Sequence, residues 1–192
     1  MPPMDLSIAK WEHIGIPKHV VVRDYNPDYP SMFESEKKLL APIFADNLVY
    51  FCHIGSTAVV GLKAKPIIDI MVSVRSLCEV DAHKADFEAV GYEYLGEFGM
   101  AGRRYLRKGG DERTHQIHVF QEGDEYNLSR HLALRDYLRA HPNEAASYGK
   151  LKEGLAERYP FDIEGYCLGK EGFVKELEEK ALKEWGKRGK RL

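Results

Sequence analysis

Apolar residues follow two rhythms along the chain, and the change falls near residue 123. Before it, apolar runs are short, β-branched or alternating, as strands require; after it, they recur at helical spacing. Residues 1–17 carry no period and are broken by Pro17, so they are expected to form an arm that docks Trp11 and Ile14 on the body. His19–Arg23 reads as a short strand. Asp28-Tyr29-Pro30-Ser31 opens a helix, with Glu34 spaced as the capping-box partner of Ser31. Met32, Phe33, Leu39, Leu40, Ile43 and Phe44 form its apolar face, and Pro42 is placed to kink it. Leu48–His53 is a second strand, and a short turn or helix leads from Gly55-Ser56-Thr57 to Gly61.

Pro66–Val74 is the strongest strand signal. It is almost continuously apolar, so it is expected to be a central strand covered on both faces. Ser76–Val90 reads as one helix ended by Gly91; Tyr92–Glu97, Arg103–Arg107 and Thr114–Phe120 read as strands, with a hairpin turn at Gly109-Gly110-Asp111. Tyr126–Arg139, Pro142–Arg158 and Asp162–Trp185 read as helices. The expected organisation is an arm (1–17), an α/β core (18–123), a helical part packed on it (124–186) and a basic tail (187–192).

Composition narrows the function. The chain has 192 residues, 44% hydrophobic and 30% charged, enough for a core without staples. Its net charge of −2 supplies no bulk electrostatic reason to bind nucleic acid. No apolar stretch is long enough to span a membrane, and the start lacks a signal-peptide pattern, so a cytoplasmic location is expected. Three scattered cysteines, Cys52, Cys78 and Cys167, suit a reducing compartment.

The candidate chemistry begins at Asp69, the one charged residue inside the Pro66–Val74 run. A buried carboxylate is costly unless it is paired, hydrogen-bonded or on a metal. Gly55-Ser56-Thr57 sits at a strand-to-helix junction, where a glycine permits a sharp turn and backbone N–H groups suit a phosphate. If the two strands are neighbours, cradle and carboxylate meet at one sheet end, and a divalent ion on Asp69 would neutralise the phosphates. His115 and His118 lie three apart on one strand and face opposite sides; His118 shares a face with Gln116 and is the one expected in the site. Lys65, Arg104, Lys152 and Lys170 are available cations. Arg135-Asp136 reads as an internal pair, and Tyr148 and Tyr166 as packing residues able to stack on a base. His53, His115 and His118 raise a zinc alternative, but their spacing matches no zinc motif.

These residues carry a resemblance. His53-Ile54-Gly55-Ser56-Thr57-Ala58-Val59, Gly61-Leu62, Lys65-Pro66-Ile67-Ile68-Asp69-Ile70, His115-Gln116-Ile117-His118-Val119, Leu134–Arg139, Tyr148 with Leu151-Lys152, and Tyr166 with Lys170 resemble the signature of the GrpB family, placed in the nucleotidyltransferase superfamily; the match spans about residues 20–182. The resemblance implies an α+β fold, a nucleotidyltransferase-like mixed sheet flanked by helices with a helical C-terminal third. It also implies a Gly-Ser loop holding nucleotide phosphates and an Asp-x-Asp or Asp-x-Glu pair holding two metals. Gly55 and Ser56 match the loop and Asp69 the first carboxylate, but the second position is Met71, a soft donor that cannot hold Mg²⁺.

The expected function is nucleotide binding, with Mg²⁺- or Mn²⁺-dependent nucleotidyl or phosphoryl transfer to a small acceptor. In that reading Asp69 and His118 hold the metal and serve catalysis, and Gly55, Ser56, Thr57, Lys65, Arg104 and Lys152 bind the phosphates. The alternative is a non-catalytic module acting through a protein partner, as in fusions of similar domains to dephospho-CoA kinase.

Overall fold

The computed structural model describes residues 19–187; the expected arm with Trp11 and Ile14, and the basic tail after Lys187, lie outside the described residues. The elements are α1 (Tyr29–Phe44), β1 (Leu48–Ile54), β2 (Ile68–Val74), α2 (Leu77–Ala82), α3 (Lys84–Ala89), β3 (Tyr92–Tyr94), β4 (Arg103–Lys108), β5 (His115–Gln121), α4 (Glu125–Ala140), α5 (Pro142–Arg158) and α6 (Ile163–Lys187). The strands form one mixed sheet in the order β1-β2-β5-β4-β3. β2 and β5 run parallel, and the other neighbours are antiparallel. This is the expected α+β architecture, with helices on both faces.

Alternation along β2 assigns the two faces. Ile68, Ile70, Val72 and Val74 point to one side and pack with Phe33, Leu40 and Phe44 of α1, Phe87 of α3, and Ile117 and Val119 of β5. Met71, on the other side, packs with Ile54, Phe120, Leu128 and Leu132 under α4. β2 is therefore buried on both faces, which is why its sequence is nearly all apolar. The loop after β1 is pinned separately: Val59 and Leu62 insert among residues of α4, α5 and α6, including Ala133, Tyr148 and Leu177. That plug ties the end of the sheet to the helical third.

Three local expectations are corrected. His19–Arg23 is not a sheet strand: Arg23 and Ala64 exchange one pair of backbone hydrogen bonds, and Val20 N donates to Pro160 O at 2.7 Å, so the segment never meets a ladder partner. The Ser31–Glu34 capping box does not form. The helix starts at Tyr29, which puts Ser31 inside the first turn, where its Oγ donates to Asp28 O at 2.8 Å. Ser76–Val90 is two helices rather than one. Ser76 caps α2, and the break is at His83, whose Nδ1 lies 2.7 Å from Asp86 Oδ2 in α3.

The helix-facing side of β5 settles His115. It lies 3.8 Å from buried Glu36, which also accepts hydrogen bonds from Tyr92 and Lys108 at 2.9 Å each. These groups link α1 to β3, β4 and β5 on the face opposite Asp69. No described helix is long and apolar enough to cross a membrane.

Candidate functional site

β1 ends at Ile54, which is paired with Asp69 of β2. The chain then turns at Gly55 with φ 69° and ψ −168°, a conformation that only glycine adopts without strain. Space imposes the same choice: a Cβ at Gly55 would lie 2.4 Å from Asp69 Oδ2. The turn sends Ser56 and Thr57 into a single 3₁₀ turn, Ser56–Ala58. A helix N-terminus expected as a phosphate cradle is therefore only one turn long, too short to present a helix dipole. Thr57 is tied inward: its Oγ1 donates to Ile67 O at 3.2 Å and lies 2.9 Å from His53 Nε2.

Beside this turn lies a cavity of about 130 Å³. Ser56, Lys65, Asp69 and Gln116 line it from the sheet side; Lys152 of α5 and Lys170 of α6 close it, with Tyr148 and Tyr166 forming aromatic walls. Helix packing delivers the lysines. At Gly169 a Cβ would sit 2.4 Å from Leu155 Cδ2, so glycine lets α6 approach α5 where Lys170 reaches the cavity. The ammonium of Lys152 is 4.4 Å from the Tyr148 ring centroid, and those of Lys65 and Lys170 are 5.4 Å and 5.1 Å from that of Tyr166. Lys152 is only 2% exposed and donates to Ser56 Oγ at 2.8 Å. With its amide nitrogen toward Asp69, Gln116 donates to Asp69 Oδ1 at 3.1 Å and accepts from Arg113 Nη1 at 3.0 Å.

Charge is the distinctive property of this cavity. Burial pushes the Asp69 carboxyl up to about 6, against the pull of Lys65, Lys170, Lys152 and Arg113. Burial, reinforced by Lys170, brings Lys65 down to about 8 and Lys152 down to about 7. Three lysines surround one carboxylate, and the burial of Lys65 and Lys152 works against their own charge. Such a site lacks an anion. Its volume is a fraction of the ~300–1,000 Å³ typical of whole small-molecule pockets, so it fits a phosphate-sized group and leaves the remainder of a nucleotide outside.

The structure brings Gly55, Ser56, Thr57, Lys65, Asp69 and Lys152 together and leaves two expected residues elsewhere. Arg104 is on the opposite face of the sheet, where its guanidinium grips both oxygens of Asp81; alternation places it with Leu106, not with Tyr105. His118 is on the expected face but pairs in register with Met71, one step beyond Asp69. There it lies 3.5 Å from Arg103 Nη1 and packs against His131 of α4. Burial, with Arg103 and Arg130 beside it, holds it neutral at about 3. The zinc alternative is not assembled, because His53, His115 and His118 belong to three separate environments. Arg135 does pair internally with Asp136, at 2.7 Å, and its Nη1 also donates to His53 O.

The donors present do not fit the implied pair of divalent metals. Met71 is fully buried at the second carboxylate position, and no described cluster of three His, Cys, Asp or Glu side chains could hold a metal. Asp69 alone among three lysines does not fit a two-metal centre. In the sequence, Lys170 reads as a helix cation and as part of the family resemblance without being placed in the site, and Gln116 and Arg113 are not placed there either. Lys170 and Lys152 differ from surface lysines only through tertiary packing; the signal for Gln116 was the face it shares with His118, and its register beside Asp69 comes from the structure.

Comparisons with known proteins place the chain in a family. A family model described as GrpB protein matches residues 19–180. The UPF0157 protein YqkA of Bacillus subtilis is 42% identical over 175 residues, which is 91% of this chain and 50% of that protein, so the chain spans half of that longer relative. The glutamate-rich protein GrpB of Alkalihalophilus pseudofirmus is 35% identical over 171 residues, covering 85% of this chain and 97% of that one. Among solved structures, the conserved protein GrpB from Enterococcus faecalis superposes with a TM-score of 0.84 at 45% identity, over 86% of this chain and 99% of that chain. Motifs, fold and matched length converge on one assignment: this chain belongs to the GrpB family.

Proposed function

We propose that the cavity beside Gly55 binds the phosphate end of a nucleotide or another phosphorylated small molecule, and that its lysines do the charge neutralisation that a metal pair performs elsewhere. The observation that carries this reading is the convergence of Lys65, Lys152 and Lys170 on one phosphate-sized cavity holding a single carboxylate. Uncompensated ammonium groups in a buried cavity favour a multiply charged anion over a neutral ligand. Tyr148 and Tyr166 line the same opening and supply stacking surface for what extends beyond the phosphate. Transfer of a phosphoryl or nucleotidyl group to a small acceptor is the reaction class such positioning serves. Mg²⁺ or Mn²⁺ enters this reading only as a counterion carried by a polyphosphate.

The test is a thermal-shift and calorimetry panel of pyrophosphate, ATP, GTP, CTP, UTP and coenzyme A, each with and without Mg²⁺ or Mn²⁺. A ligand at a hundred times its Kd adds about 2.7 kcal/mol of apparent stability, a readable shift of midpoint. Pyrophosphate is expected to bind without metal, and the nucleotide that shifts most names the ligand. A flat response across the panel overturns the reading and leaves the alternative, a module working through contact with a protein partner.

A further inference from the structure

We propose that Ser56 and Lys152 form a nucleophile–base pair that takes a phosphoryl group from a phosphate ester or anhydride onto the Ser56 hydroxyl and passes it to water. The proposal rests on the phosphate-binding reading above and gives its site a reaction.

The geometry is that of a dyad. Lys152 Nζ and Ser56 Oγ are 2.8 Å apart, although 96 residues separate them in the chain. Ser56 is half-buried in the lining of the cavity and Lys152 is buried, so the hydroxyl is the more accessible of the two to an incoming group. The turn at Gly55 puts Ser56 at the end of a strand, a placement that suits a nucleophile presented to a cavity. A buried ammonium is poorly served by one hydroxyl. The pairing is explained if Lys152 works as the free amine. Burial favours that form most, Lys170 and Lys65 repel the proton in the same direction, and only Asp69 attracts it, so that its value is about 7. Tyr148 covers the ammonium and fixes its direction.

The step balances within the site. Lys152 Nζ takes the proton of Ser56 as Oγ forms its bond to phosphorus. The bond from phosphorus to the leaving oxygen breaks, and that oxygen takes the proton back from Lys152. Lys65 and Lys170 remain to offset the charge on the equatorial oxygens. A water molecule then attacks the serine phosphate. Its proton passes through Lys152 to Oγ, releasing inorganic phosphate and restoring the hydroxyl. The missing second carboxylate is consistent with this route, which needs no metal pair.

The experiment uses the full chain with p-nitrophenyl phosphate and acetyl phosphate as probes, read by nitrophenol release and by peptide mass spectrometry. One phosphoryl group is expected on the peptide holding Ser56, with label formation rising with pH through a midpoint above 7, because the bound phosphate strengthens the hold of Lys152 on its proton. Ser56→Ala is expected to abolish label and turnover, and Ser56→Thr to retain label. Lys152→Arg, which keeps the cation and loses the base, is expected to slow transfer by about 100-fold or more. If wild-type protein binds pyrophosphate but gains no label from either probe and releases no nitrophenol from p-nitrophenyl phosphate, the dyad is refuted and phosphate binding stands. Equal turnover in Ser56→Ala also refutes it. Failure to bind pyrophosphate removes both readings together.

Discussion

Replacing Lys152 by methionine should make the protein more stable and less able to bind phosphate. Lys152 is 2% exposed, and burial together with Lys170 moves it from its ordinary 10.5 down to about 7. At about 1.4 kcal/mol for each tenfold change, that displacement corresponds to roughly 5 kcal/mol against the charged form. Methionine has similar length and no charge. It forfeits the hydrogen bond to Ser56, which contributes about 1 kcal/mol. A net gain of about 3–4 kcal/mol at pH 7 follows from these two magnitudes. The sign depends on pH in a definite way. Below about 7 the lysine is protonated in both states and the burial penalty is complete. Between 7 and 10.5 the unfolded chain holds the proton more tightly, so wild-type stability climbs with pH and the advantage of Lys152→Met shrinks. Above 10.5 the penalty is gone. Urea denaturation followed by tryptophan fluorescence, at pH 7 and near pH 10, measures both parts. A variant less stable than wild type at pH 7, or a difference that does not change with pH, would refute the claim that this ammonium is held against its charge.

Three further substitutions test the frame of the site. Gly55→Ala forces a Cβ to 2.4 Å from Asp69 Oδ2 in a backbone conformation reserved for glycine, and should cost about 2–4 kcal/mol of unfolding free energy, read by urea denaturation; Asp69→Ala in the same chain should recover only the steric part. Asp69→Asn should stabilise the fold above pH 6 by about 2–3 kcal/mol, because burial raises the carboxyl from 3.8 to about 6 and native stability falls as pH rises through that window. The same change should tighten pyrophosphate binding, whereas selective loss of Mg²⁺-dependent binding in calorimetry would favour a metal on Asp69. Arg104→Ala should leave pyrophosphate affinity unchanged and cost about 1 kcal/mol or less, since its partner Asp81 is largely solvated.

Much of the fold is legible in the sequence because strand burial leaves a direct trace. A strand covered on both faces must be apolar throughout, and Ile68–Val74 is, apart from Asp69 and Ser73. The break at Asp69 marks the site for the same reason. Register is harder to read. Alternation puts His118 on the correct face, but only the pairing of β2 with β5 places it beside Met71 rather than Asp69. Face parity alone separates Arg104 from the site, and it could have been applied: Arg104 shares its face with Leu106, which packs in the first core with Val72 and Ile117. The cations are least legible. Lys63 and Lys65 lie two apart, yet Lys63 pairs with Asp24 and Glu153 at the surface while Lys65 enters the cavity. Lys152 and Lys170 come from helices whose packing is set by side chains such as Leu155 against Gly169, so their resemblance to family positions does not by itself bring them to one cavity.

Proton exchange on binding separates lysine-based from metal-based neutralisation by sign. A phosphate placed among Lys65, Lys152 and Lys170 favours their charged forms. Because Lys152 lies near 7 and Lys65 near 8, both are incompletely protonated in the free protein above neutrality and take up protons as the anion binds. Affinity must then fall as pH rises, by up to about tenfold per pH unit for each proton taken up. A divalent ion on Asp69 does the reverse: it needs the carboxylate, displaces a proton from a group near 6, and strengthens with pH. Calorimetry of pyrophosphate binding at pH 8 in two buffers of different ionisation heat counts the protons. Lys152→Arg provides the internal reference, since a guanidinium is always charged and has no proton to gain. Uptake in wild type, reduced by about one proton at most in Lys152→Arg, is the expected result. Proton release, or equal uptake in both proteins, would mean that Lys152 is not the group that answers the phosphate.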